Sequence, residues 1–166
     1  MRLRKANKRR KIAYRRKFSH RVEALIRAWK RFEWNSEGLK LGAYCFGCRG
    51  HPGIVTQVDW DLSNPWGSDF SVTSLIDGIE ENCSVYHCGF APTSKEVAEA
   101  YAAYSIRHGD KMATIKFFPH AYKNWEDQWN DPDHTNPYKS GCSSLQEYLG
   151  LNDEEFQAHM TGVCPD

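Results

Sequence analysis

Four of the six cysteines are spaced in a way that could bind a metal ion. Cys45 and Cys48 form a Cys-x-x-Cys pair, His51 follows three residues later, and Cys83 and Cys88 lie further along the chain. Two thiolates on one turn can supply two ligands to a zinc ion, and a second pair of ligands completes a tetrahedron. The spacing therefore identifies a candidate metal centre.

The second pair of cysteines argues against that centre. The sequence predicts a strand over residues 83–89, in which Cys83 and Cys88 would point to opposite faces because side chains alternate along a strand. We therefore expect reduced, buried thiols and no cofactor. The alternative is a zinc site, and its ligands would be Cys45, Cys48, His51 and Cys88.

The N-terminal segment is strongly basic. Residues 1–17 contain ten Lys or Arg and no acidic residue, and residues 1–33 contain 14 basic and two acidic residues, a net charge of +12. Such a segment attracts phosphate, and the release of condensed counterions supplies affinity without base reading. The predicted nucleic-acid contacts are its cations and one tyrosine that could stack on a base: Arg2, Arg4, Lys5, Lys8, Arg9, Arg10, Lys11, Tyr14, Arg15, Arg16 and Lys17. The alternatives are a solubilising tail, a targeting signal or an anionic membrane surface.

The rest of the chain is acidic. It contains eight basic and 19 acidic residues, a net charge of −11. An acidic body opposes polyanion binding, so we expect it to make a second contact, with a basic protein surface. The candidate surface joins two tryptophans to four acids: Trp125, Glu126, Asp127, Trp129, Asp131 and Asp133. The alternative is that both tryptophans pack in the core and the acids are only solvated.

Short strands and helices are expected to position these residues. An apolar stripe predicts an amphipathic helix from Phe18 to Phe32, and strands are predicted over 39–45, 53–62, 69–76, 83–89 and 111–118, with a turn at Asp77-Gly78. Helices are predicted over 94–108, near 122–129, over 143–149 and over 152–160.

These elements predict an α+β fold. A basic arm, residues 1–17, precedes a single domain over residues 18–166. That domain should contain an N-terminal basic helix, a mostly antiparallel sheet of four or five short strands, one capped helix on the sheet, and short C-terminal helices. The 22 aromatic residues supply material for a packed core. We expect a cytoplasmic protein, since the sequence has neither an apolar run of membrane-spanning length nor a secretory signal.

The stretch from Ser144 to Phe156, Ser-Leu-Gln-Glu-Tyr-Leu-Gly-Leu-Asn-Asp-Glu-Glu-Phe, resembles the tail of small accessory proteins carried by bacteriophages and mobile elements. The resemblance covers roughly a tenth of the chain. It implies a phage-type accessory protein and assigns no role to any residue.

The expected function is non-enzymatic binding. The basic arm would contact nucleic acid or a nucleoprotein, and the acidic body would contact a protein. One form of this function is a phage-type, anti-defence inhibitor of a host nucleic-acid-directed machine. The alternatives are a structural component of a large RNA or genome-packaging assembly, and a small zinc- or thiol-dependent enzyme.

Overall fold

The computed structural model describes residues 21–23, 37–59 and 69–166. The predicted arm and nearly all of the predicted helix from Phe18 to Phe32 lie outside them, although residues 21–23 are helical. Backbone contacts divide the chain into two compact units. The sheet unit ends at Ser94, and the helical unit consists of Lys95–Asp166 together with the short segment Leu75–Asp77. That residues 18–166 fold as one domain stays a prediction.

In its described residues, the sheet unit contains five antiparallel strands, which confirms the predicted α+β class. The strands are β1 (Tyr44–Phe46), β2 (Pro52–Val58), β3 (Phe70–Ser74), β4 (Glu80–Cys83) and β5 (Ala91–Pro92). Their order across the sheet is β4-β3-β2-β1-β5. The turn between β3 and β4 uses the predicted Asp77-Gly78 pair, and Gly78 has φ of 70°, a conformation that glycine adopts without strain.

One face of this sheet is the core of the unit. Val55 lies opposite Val72, and Phe70 lies opposite Cys83. Residues that oppose each other in an antiparallel pair point to the same face, so these side chains pack together. The buried cluster consists of Leu39, Cys45, Val55, Phe70, Val72, Cys83 and Val85.

Gly53 in β2 has no room for a side chain. A Cβ atom there would lie 2.6 Å from the carbonyl oxygen of Thr73 and would also strike the Val72 side chain. We expect Gly53→Ala to lower the free energy of unfolding by about 1–3 kcal/mol, because the two strands must separate to admit the methyl group. Urea denaturation measures the loss. The control is Gly141→Ala, where the added Cβ meets no atom within 4 Å; equal losses in the two variants would contradict the packing explanation.

The predicted strand over residues 83–89 is wrong. β4 ends at Cys83, and a short helix, α1 (Val85–Cys88), follows. The carboxylate of Asp69 accepts hydrogen bonds from the backbone N–H of Val85 at 2.7 Å and from the Ser84 hydroxyl at 3.2 Å. These two bonds satisfy donors at the start of the helix. The cap comes from a residue that is distant in sequence, so the local pattern does not show these bonds.

The helical unit contains six helices in its described residues. They are α2 (Lys95–His108), α3 (Asp110–Phe117), α4 (Lys123–Asn130), α5 (Pro137–Gly141), α6 (Leu145–Leu149) and α7 (Asp153–Thr161). The predicted helices over 94–108, near 122–129, over 143–149 and over 152–160 are confirmed. In the described part of the chain, no helix has the length and apolar character needed to cross a membrane.

The predicted strand over 111–118 is wrong, because this segment is α3. Met112, Ala113 and Ile115 are buried, and the hydroxyl groups of Tyr101 in α2 and Thr114 in α3 lie 2.9 Å apart. The alternation of polar and apolar residues is too short to distinguish a strand from a helix. Packing of α3 against α2 decides the conformation.

Candidate metal centre

In the sheet unit, Cys48 lies close to two cysteines that are far from it in sequence, Cys83 and Cys88. The Sγ atoms of Cys48 and Cys88 lie 3.0 Å apart, although 40 residues separate them. Ligand atoms of Cys48, Cys83 and Glu81 all lie within 4.8 Å of one another. We call Cys45, Cys48, Cys83 and Cys88 the cysteine cluster. Cys48 and Cys88 are exposed, whereas Cys45 and Cys83 are buried.

A contact between the β1–β2 turn and β4 brings the cluster together. In the sheet, β1 and β4 are about 14 Å apart, since two strands separate them. Arg49, in the turn that follows β1, nevertheless donates from Nε to Oε1 of Glu81 in β4 at 2.9 Å. The β1–β2 turn therefore lies against β4.

The turn that carries Cys48 has a defined backbone. The N–H of Gly47 donates to the carbonyl of His51, and the N–H of Gly50 donates to the carbonyl of Gly47, both at 2.9 Å. Gly50 has φ of 76°, which favours glycine. A Cβ atom on Gly47 would lie 2.6 Å from a carboxylate oxygen of Glu81. Both glycines are therefore required for the turn and for its approach to β4.

Glu81 is held by the same turn. Its carboxylate is buried, and besides the Nε bond it accepts a hydrogen bond from the backbone N–H of Arg49 at 3.0 Å. Hydrogen bonds to a buried carboxylate compensate for its loss of hydration. Glu81 thus fixes the position of the turn that carries Cys48.

Desolvation raises the pKa of three thiols in the cluster. Desolvation, followed by the charges of Cys83 and Glu81, raises the pKa of Cys45 to about 12. Desolvation also raises the pKa of Cys83, and desolvation followed by the hydrogen bond with Cys88 raises the pKa of Cys48. Without a metal ion, these three thiols are protonated at neutral pH.

The structure brings together part of the predicted ligand set. Cys48 and Cys88 are adjacent, and Cys45 lies in the same unit with Cys83. His51, by contrast, places Nδ1 3.2 Å from the hydroxyl of Ser74, so its ring points to β3. Cys83, which the strand prediction excluded, belongs to the cluster because α1 turns Cys88 back toward it.

The signal for α1 was present in the sequence. Ser84 stands directly before Val85–Cys88 and Gly89 directly after. Serine is favoured before the first helical residue, and glycine is favoured after the last. Gly89 has φ of 68°, in agreement with that preference. This pair of residues could have identified the helix.

Most side chains of the predicted acidic and aromatic surface make contacts within the helical unit. The rings of Trp125 and Trp129 contact Tyr148, with centroid distances of 6.0 and 5.4 Å. His159 Nε2 lies 3.2 Å from Oε2 of Glu126. Asp127 forms an ion pair with Lys123 at 3.0 Å, and Asp131 Oδ1 accepts from the backbone N–H of Asp133 at 2.9 Å. Trp125 nevertheless remains 47% exposed, so a protein contact at this surface stays a prediction.

The predicted nucleic-acid contacts, from Arg2 to Lys17, lie outside the described residues.

Comparison with known proteins identifies no family: the chain matches no protein-family model, no curated protein and no solved structure.

Proposed function

We propose that this protein is a non-enzymatic nucleic-acid-binding protein whose basic N-terminal segment contacts phosphate. The observation that supports the proposal is the separation of charge, +12 over residues 1–33 and −11 over the rest. A partner within a Debye length of about 8–10 Å responds to the local charge and not to the net charge of the chain. The first 33 residues are therefore the part of the chain that a polyanion attracts.

The charges of the described residues support phosphate binding by the N-terminal segment and not by the helical unit. Residues 95–166 contain six basic and 12 acidic residues. Two of the six cations form ion pairs one helical turn apart, Lys95 with Glu99 at 3.8 Å and Lys123 with Asp127 at 3.0 Å. The first turn of α7 carries three acids. The helical unit therefore repels phosphate, and binding depends on the N-terminal segment.

The acidic body fits a basic protein partner. Asp127, Asp131 and Asp133 are exposed, and they lie close in sequence to the half-exposed Trp125. An aromatic side chain with an acidic rim is a common recognition surface. We therefore include in the proposal a protein contact made by this surface, with the nucleic-acid channel of an enzyme as one such partner. A structural role in an RNA or genome assembly remains the alternative.

Deletion of residues 1–17 tests the proposal. We expect the truncated protein to fold and to lose nucleic-acid binding, because ten cations are removed. For the full chain, the logarithm of affinity should fall against the logarithm of salt concentration with a slope of about −4 to −5, if about six cations contact phosphate. Fluorescence anisotropy with random-sequence RNA and DNA measures both effects.

The control compares two sets of three neutralised cations. Arg4, Arg9 and Arg10 changed to Gln should weaken binding and reduce the salt slope by about 2 to 3. Lys95, Lys116 and Lys123 changed to Gln should leave both unchanged, because these residues belong to the acidic helical unit. Truncated protein that binds as tightly as the full chain would show that the N-terminal segment is not the binding site.

A further inference from the structure

The cysteine cluster has the ligand chemistry and the geometry of a metal site. A disulfide requires a sulfur-sulfur distance of about 2.05 Å, and two thiolates on one tetrahedral zinc ion lie about 3.8 Å apart if each bond is about 2.3 Å long. The Sγ atoms of Cys48 and Cys88 lie 3.0 Å apart, between these two values, and Cys83 Sγ lies within 4.8 Å of Cys48 Sγ. Cys48 therefore lies close to both of the other sulfurs, and zinc binding would require the Cys48 and Cys88 sulfurs to move apart by about 0.8 Å.

We propose that Cys45, Cys48, Cys83 and Cys88 bind one zinc ion as four thiolate ligands. The Cys-x-x-Cys pair comes from β1 and the turn after it, and the other pair comes from the end of β4 and the end of α1. The site lies entirely within the sheet unit, and it does not depend on nucleic-acid binding by the N-terminal segment.

Cys45 is the fourth ligand because of its place in the sheet. It lies opposite Gly53, which lies opposite Ser74, so its side chain points to the buried face. Phe70 lies opposite Cys83 on that same face. Cys45 and Cys83 both belong to the buried cluster of this face, and the Cys-x-x-Cys spacing fits two ligands of one ion.

Glu81 is a positioning residue in this arrangement. Its two oxygens accept from the backbone and side chain of Arg49, and these bonds hold the turn that carries Cys48. Metal sites commonly use such hydrogen bonds to orient the segments that supply ligands. Zinc is the ion that a tetrahedral set of four thiolates prefers among common divalent ions.

The small core gives zinc a structural role. The buried cluster of the sheet unit has seven side chains in its described residues, two of which are Cys45 and Cys83. Units with so little apolar material are commonly stabilised by disulfides, a metal ion or association. A zinc ion would join β1 and the turn after it to β4 and α1.

The test uses the full chain purified under reducing conditions. We expect elemental analysis to find one zinc per chain. After replacement of zinc by cobalt, the spectrum should show thiolate-to-cobalt charge transfer and the visible bands of tetrahedral cobalt. The cobalt measurement uses the unaltered chain, so it remains decisive if a cysteine variant does not fold.

Substitutions then assign the ligands. Each of four single variants should reduce the zinc content at least tenfold: Cys45→Ser, Cys48→Ser, Cys83→Ser and Cys88→Ser. In the helical unit, Cys142→Ser and Cys164→Ser should keep one zinc per chain. Substoichiometric zinc, iron in its place, a Cys48–Cys88 disulfide in the purified chain, or full zinc content in Cys45→Ser would overturn the proposal.

Discussion

Removal of zinc from the full chain is expected to expose the amides of β1, β2, β3 and β4 to hydrogen exchange while α2 and α3 keep their protection. Structural zinc sites contribute their binding free energy to folding, and the core of the sheet unit is small. We therefore expect protection in these strands to fall by about 100-fold or more, which corresponds to about 3 kcal/mol. The buried residues of α2 and α3 do not include a cysteine, so their exchange should change little.

Hydrogen exchange resolved by peptide, before and after treatment with a chelator, measures this difference. Zinc added back should restore the protection of the strands. The matched comparison is the double variant Cys142→Ser, Cys164→Ser, which should respond to the chelator as the unaltered chain does. Strands that stay protected after the metal is removed would show that the apolar core alone is sufficient.

Asp69→Ala is expected to lower the free energy of unfolding by about 2–4 kcal/mol. Asp69 is 6% exposed, and its carboxylate accepts from the backbone N–H of Val85, which is itself buried, and from the Ser84 hydroxyl. Alanine would leave the Val85 donor without its acceptor in a place that water does not reach. Because these bonds start α1, the variant should also weaken metal binding through Cys88.

Two variants separate the role of the carboxylate from that of its neighbours. Ser84→Ala removes only the 3.2 Å hydroxyl bond and should cost about 1 kcal/mol or less. Asp69→Asn keeps one acceptor oxygen and should lie between the two. Urea denaturation provides the values. A loss in Asp69→Ala no larger than in Ser84→Ala would mean that α1 does not depend on this cap.

Local signals predicted much of the fold. Asp77-Gly78 located the turn between β3 and β4, and the predicted helix over 152–160 begins with a capping box, formed by the reciprocal bonds of Asn152 and Glu155, each at 2.9 Å. These features depend on residues within one turn of each other. The errors, at residues 83–89 and 111–118, fall where a contact with a distant segment decides the conformation.

The candidate site also combines a local motif with contacts between distant segments. The Cys-x-x-Cys pair is a local motif, and the sequence predicts it as a source of metal ligands. That Cys83 joins it depends on the contact between the β1–β2 turn and β4, and the position of Cys88 depends on the cap that Asp69 supplies to α1. Both are contacts between segments that are far apart in sequence, so a short window does not show them.

The two edges of the described sheet make it a poor template for strand addition. At one edge, β5 has only two residues, and one of them is Pro92, which has no N–H to donate. At the other edge, β4 places Glu80 and Asn82 in solvent. Short strands, proline and exposed charge are the features that prevent edge-to-edge association of sheets. If the proposed phosphate contact places many copies side by side on one polyanion, their sheets should therefore not join into a fibre.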